Sequence, residues 1–101
     1  MPAGRPLKFE SPELMQEIID LYFLACRVHK EQALDIGPAE QRLEDLSEEH
    51  LLIVNDIEDV TPIISGLAYT LGMSTEAFRN YEQKDEFLAT VKRAKQRVEM
   101  S

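Results

Sequence analysis

At 101 residues, 44% apolar and 30% charged, the chain has the make-up of one compact globular domain rather than of a disordered segment. Its single cysteine, Cys26, excludes an internal disulfide and a metal site built on paired thiolates. No apolar run approaches the roughly 20 residues needed to span a bilayer, residues 1–9 lack the apolar core of a signal peptide, and a reducing, cytoplasmic setting is expected.

The net charge of −8 opposes a uniformly nucleic-acid-binding surface, but the charge is unevenly spread. Residues 1–8 carry Arg5 and Lys8 and no acid, residues 31–59 hold ten acids against the single Arg42, and residues 61–101 hold six bases and five acids. Acidity is thus a property of the middle segment and does not bar either end from DNA. A domain of this size buries roughly two-thirds of its unfolded surface, so assembly with copies of itself is a natural source of further stability.

Residues 1–10, with two prolines and a glycine, read as an extended arm. Ser11-Pro12-Glu13 then gives a helix start: a capping serine, proline in the first position and an acid near the positive end of the dipole. Leu14, Ile18, Leu21, Tyr22 and Ala25, widened by Ile19, Phe23 and Cys26, predict an apolar face on a helix over residues 11–30. An acidic insert, 31–60, follows. Ile36-Gly37-Pro38 is a break, residues 38–46 fit a short polar helix, and Ser47-Glu48-Glu49 looks like another capped start. Leu51-Leu52-Ile53-Val54 before Asn55-Asp56 fits either a helix or a short β-hairpin over 51–61, with helix favoured.

From Thr61-Pro62 a helix with Ile63, Ile64, Leu67, Ala68 and Leu71 on one face is expected, ended by Gly72 in the left-handed conformation. Ser74 caps a second, with Ala77, Phe78 and Tyr81 inward, and residues 85–101 form a last helix carrying Phe87, Leu88, Val91, Ala94 and Val98. The fold class is therefore mainly α: a single helical domain over 11–101.

Helix, glycine-containing turn and short helix over 61–84 is the pattern of a helix-turn-helix. The core leaves Thr75, Glu76, Arg79, Asn80 and Gln83 unclaimed, and Arg79 and Asn80 are the side-chain types that read guanine and adenine edges. Lys92, Arg93, Lys95 and Arg97 are candidates for phosphate contact, although a helix C-terminus favours cations in any case, and Lys84 at the end of the helix-turn-helix is a further DNA-binding candidate. Arg5 and Lys8 resemble arms that enter the minor groove, against the plainer reading of a solvated tail. His29 and His50 share no metal-ligand spacing, Cys26 falls on an apolar face with no base partner, and there is no Gly-rich phosphate loop. The expectation is a protein without catalytic residues, metal or cofactor, acting by binding macromolecules.

Gly4-Arg5-Pro6-x-Lys8-Phe9-Glu10-Ser11-Pro12-Glu13-Leu14, with Ile18-x-x-x-Tyr22-Phe23, resembles the start of the small subunit of phage terminase, the DNA-packaging protein of tailed phages. Thr61-x-x-x-Ser65-Gly66-Leu67-Ala68-x-x-Leu71-Gly72-x-Ser74, Tyr81-Glu82-x-Lys84-Asp85 and Phe87-x-x-x-Val91-Lys92-x-Ala94-Lys95 resemble the same family in the same order, over about two-thirds of the chain.

The resemblance implies a homo-oligomeric, nonamer-like ring that recognises the packaging-initiation site on double-stranded viral DNA in the host cytoplasm. Such a ring brings the large subunit, which holds the ATPase and nuclease, to that site, and residues 61–84 would be its DNA-contacting element. The strongly acidic insert departs from the family pattern, and relatives usually continue past the position of Ser101 into oligomerisation elements and a basic tail. A dimeric helix-turn-helix regulator of transcription, reading a palindromic site, is the alternative. A protein-interaction domain built on Glu44, Asp45, Glu48 and Glu49 is a third.

Overall fold

The computed structural model describes residues 9–101, and among them the chain forms six helices and no strand. The first, α1 (Pro12–Leu34), begins where the sequence predicts: the Leu14 N–H donates to Ser11 Oγ at 3.4 Å, with Pro12 at the first position and Glu13 in the first turn. It continues past the expected end near residue 30 because Asp35 adopts the left-handed conformation (φ 55°). There the N–H of Asp35 donates to the Gln32 carbonyl and that of Ile36 to the Glu31 carbonyl. Every other helix except α5 packs on α1, which buries Met15, Ile19, Leu21, Tyr22, Ala25, Cys26 and Val28. Met15, Ile19, Tyr22 and Cys26 are the centre of this face by spacing, which leaves the expected Leu14 47% exposed.

The acidic insert is helical. In α2 (Ala39–Glu44), Arg42 donates from Nε and Nη2 to Glu31 Oε1 and Oε2 at 2.9 and 3.2 Å, a two-pronged tie to α1 that holds the Glu31 carboxyl below the usual carboxylate range. The one base of the acidic segment is thus a structural clamp. In α3 (Glu48–Asp56), the His50 N–H donates to Ser47 Oγ at 3.3 Å, and the His50 ring meets Glu17 of α1 at 2.9 Å. The hairpin alternative over 51–61 is corrected: His50, Ile53, Val54 and Ile57 face inward at helical spacing, while Leu52 is 71% exposed.

The C-terminal half comprises α4 (Ile64–Thr70), α5 (Thr75–Tyr81) and α6 (Asp85–Glu99). The start of α4 lies beyond the predicted Thr61-Pro62 because it is set by a tertiary bond. The buried Tyr22 hydroxyl donates to Asp59 Oδ2 at 2.7 Å and accepts the Ile63 N–H at 3.1 Å. Burial first, and the carboxylate beside it, push this phenol well above its ordinary range, so it stays a donor. Gly72 (φ 78°) ends α4 as expected, its N–H donating to the Tyr69 carbonyl at 2.9 Å while Met73 donates to the Ala68 carbonyl at 3.0 Å. Ser74 then caps α5 by accepting the Ala77 N–H at 3.1 Å. Phe78, Tyr81, Phe87, Val91 and Ala94 close the core against Leu67, Leu71 and the α1 face. Leu88, expected inside, is 36% exposed, and Thr90 is buried in its stead.

Gly66 makes the Tyr22–Asp59 tie possible. A Cβ there would strike the Asp59 carboxylate and lie 2.6 Å from Tyr22 Oη, and Tyr22, fully buried, has nowhere to withdraw. Helix propensity alone favours Gly66→Ala by about 0.8–1 kcal/mol. The expected outcome has the opposite sign, a net loss of about 1–3 kcal/mol in urea unfolding, from the lost hydrogen bond and the overlap. Adding Asp59→Ala should then cost less than it does alone. A more stable Gly66→Ala variant would refute this packing.

Candidate nucleic-acid interface

The outward face of α5 is fixed by what its inward face buries. Phe78 and Tyr81 anchor the helix, and Tyr81 is held further by the Phe87 ring at 4.8 Å and by its hydroxyl, which accepts the Phe9 N–H at 3.3 Å. Glu76, Arg79, Asn80 and Gln83 are consequently exposed, and Thr75 is half-buried at the start of the helix. Arg79 makes no ion pair among the described residues, so its five donors are available to a ligand.

The six C-terminal cations do not form one surface. Lys95 Nζ is 2.9 Å from Glu82 Oε2, tying α6 to the end of α5. Arg97 donates to Asp20 Oδ1 at 2.9 Å and lays its guanidinium 4.0 Å from the centre of the Phe23 ring. Arg93 lines a shallow depression together with Glu13, Glu17 and Asp20 of α1. Lys84 and Lys92 are exposed and, like Arg79, form no ion pair among the described residues. Residues adjacent along a helix diverge by about 100°, so a run of bases at 92, 93, 95 and 97 is spread round α6.

Arg5 and Lys8 lie outside the described residues. Sequence reasoning did not find the grouping of Arg27, Arg42 and Arg97 round one groove, because the three come from α1, α2 and α6 and no local pattern joins them. Cys26 is 1% exposed, and burial pushes its thiol up, away from the reactive thiolate. His29 approaches the Val54 carbonyl at 3.4 Å and His50 pairs with Glu17, so the two histidines tie α1 to α3 at separate points.

No helix among the described residues is long and apolar enough to cross a membrane. No curated protein and no solved structure matches the chain. A family model described as DNA-packaging protein gp3 does match, over residues 4–101, taking in the six helices of the described residues and the acidic insert. The match spans nearly the whole chain, and the protein therefore belongs to the DNA-packaging protein gp3 family and is a phage DNA-packaging protein.

Proposed function

We propose that the protein is a small terminase subunit, a homo-oligomeric ring that recognises the packaging-initiation site of double-stranded viral DNA and brings the large ATPase–nuclease subunit to it. In this reading the protein performs no chemistry itself and needs no cofactor. Its helices α4 and α5, joined by the Gly72 turn, act as a helix-turn-helix, with α5 entering the major groove. The observation that carries the reading is the outward face of α5. A short helix pinned by two buried aromatic residues presents Arg79 and Asn80 to solvent, with no side-chain partner among the described residues, in a chain whose family packages DNA.

Arg79 and Asn80 are the base-reading pair, with Thr75 at the start of the helix placed for a phosphate. Lys95 and Arg97 serve the fold instead, since each is held by a carboxylate of the same chain. An acidic surface elsewhere turns DNA away from the rest of the molecule and leaves α5 as the point of approach.

Solution mass by light scattering coupled to size-exclusion chromatography, with and without a duplex carrying the packaging-initiation site, tests the proposal. The expected result is a single species of many subunits that binds this duplex more tightly than a scrambled one. A dimer that prefers a palindrome would replace it with the transcription-regulator reading, and a monomer indifferent to DNA would remove it.

A further inference from the structure

We propose that the groove between α3 and α4 is the socket for α6 of a second copy of the chain, with Lys84, Leu88 and Lys92 of that copy seated in it. The inference rests on the homo-oligomeric reading above and names the two surfaces that build it.

The groove encloses about 600 Å³ and is lined by Ile53, Ile57, Ile63 and Tyr69, with Asp56 and Glu58 beside them. Tyr69 is 75% exposed and Ile63 47%, and Leu52, 71% exposed, stands one helical turn before Asp56 on α3. Exposed apolar side chains rimmed by carboxylates give a partner both area to bury and charge to pair. Neither Asp56 nor Glu58 forms an ion pair among the described residues, whereas Asp59, also in the groove, is occupied by Tyr22. The surface therefore asks for an apolar knob with a cation on either side.

One stripe of α6 has that form. Leu88 and Lys92 lie one turn apart on one face of the helix, and Lys84, the cap one turn before Leu88, accepts the Leu88 N–H on its carbonyl at 3.0 Å. Leu88 is the partly exposed leucine of α6, and both lysines lack an internal partner among the described residues. The knob does not reach the groove of its own copy, because α6 packs against α1 and α5 while the groove belongs to α3, α4 and the segment between them. Complementary but different patches on one chain make a heterologous, head-to-tail contact, the kind that closes into a ring when its rotation is a whole fraction of a turn. Lys84 and Lys92 then serve assembly, and Arg79 and Asn80 on α5 remain free for DNA.

Charge exchange tests the pairing. Asp56→Lys/Glu58→Lys reverses the groove and Lys84→Glu/Lys92→Glu reverses the knob. Asp56 is the last residue of α3 and Lys84 the cap of α6, so the new charges at these two positions suit the helix dipoles and the monomer keeps its fold, as circular dichroism would report. Each variant alone is expected to need at least about tenfold more protein to reach the wild-type mass, because like charges now meet. Combined in one chain, the two exchanges should recover high mass, since every contact then joins opposite charges whatever the number of subunits in the ring. If the wild-type chain assembles and both variants do so equally well, or if the chain carrying both exchanges fails to recover, the socket is wrong and the oligomeric reading stands. A wild-type chain that is monomeric at every concentration overturns both.

Discussion

Phe87→Ala is expected to remove about 3–5 kcal/mol of folding stability, from a total of about 5–15 kcal/mol for a single domain. Phe87 sits in the first turn of α6 and is fully buried, its ring meeting Tyr81 edge-on at 4.8 Å with the planes 75° apart. Through Tyr81 the contact extends to Phe9, whose ring lies 6.4 Å away. Truncation would therefore open a cavity at the point where α5, α6 and the start of the described chain converge, and the aromatic edge contact is lost as well. With a urea slope of about 2 kcal/mol per M, the midpoint should fall by roughly 2 M. Leu88→Ala, one residue on, is the internal control: a side chain 36% exposed should cost no more than about 1 kcal/mol. Both are measured at a protein concentration too low for assembly, because assembly adds to apparent stability and Leu88 lies in the proposed contact between copies. Equal losses at the two positions would mean that the face of α6 has been assigned wrongly.

The contrast between Phe87 and Leu88 also marks where the sequence stops being legible. Local chemistry could be read directly: Ser11, Ser47 and Ser74 each accept the backbone N–H three residues on, and Gly72 takes the positive φ that ends α4. What depends on distant residues could not be read. The beginning of α4 is set by a hydroxyl 41 residues earlier in the chain, and the exposed side of α6 by which neighbours it finds. The choice of Met15 over Leu14 as a core residue is likewise tertiary, since both are apolar and adjacent. Over four apolar residues a strand and a helix look alike, and only the packing of α3 on α1 separates them.

The candidate site divides along the same line. Arg79 and Asn80 could be placed outward from the sequence because Phe78 and Tyr81 fix the inward face of a short helix. The run of bases on α6 could not be apportioned, because the partner of Arg97 is 77 residues away and that of Lys95 is 13. Arg42 shows the converse: a base alone in an acidic segment looks incidental, yet it is the two-pronged partner of Glu31. Formal charge therefore overstates the cations a ligand can use. Once the internal pairs are removed, Arg79, Lys92 and the capping Lys84 are the cations of α5 and α6 with neither a carboxylate partner nor an acidic depression around them among the described residues.

Among these three, Arg79 is the one whose loss should reach DNA binding most directly. Arg79→Ala keeps the helix, since alanine is the better helix former and the side chain packs on nothing buried. A guanidinium bound in the fork geometry to one guanine contributes about 1–3 kcal/mol of discrimination. In a ring that engages several copies on one duplex the loss recurs at each engaged subunit, so site-specific affinity should drop by at least about tenfold and further as more subunits bind. The mass of the free protein should not change, because Arg79 lies on α5 and outside both the groove of α3 and α4 and the Lys84–Leu88–Lys92 stripe. Arg79→Lys separates the two kinds of contact. A lysine retains a phosphate-seeking charge, and with it the slope of affinity against salt, but it cannot reproduce the fork and should lose the preference for the specific duplex. If Arg79→Ala binds the packaging-initiation duplex as tightly as the wild type at matched salt, α5 is not the reading helix.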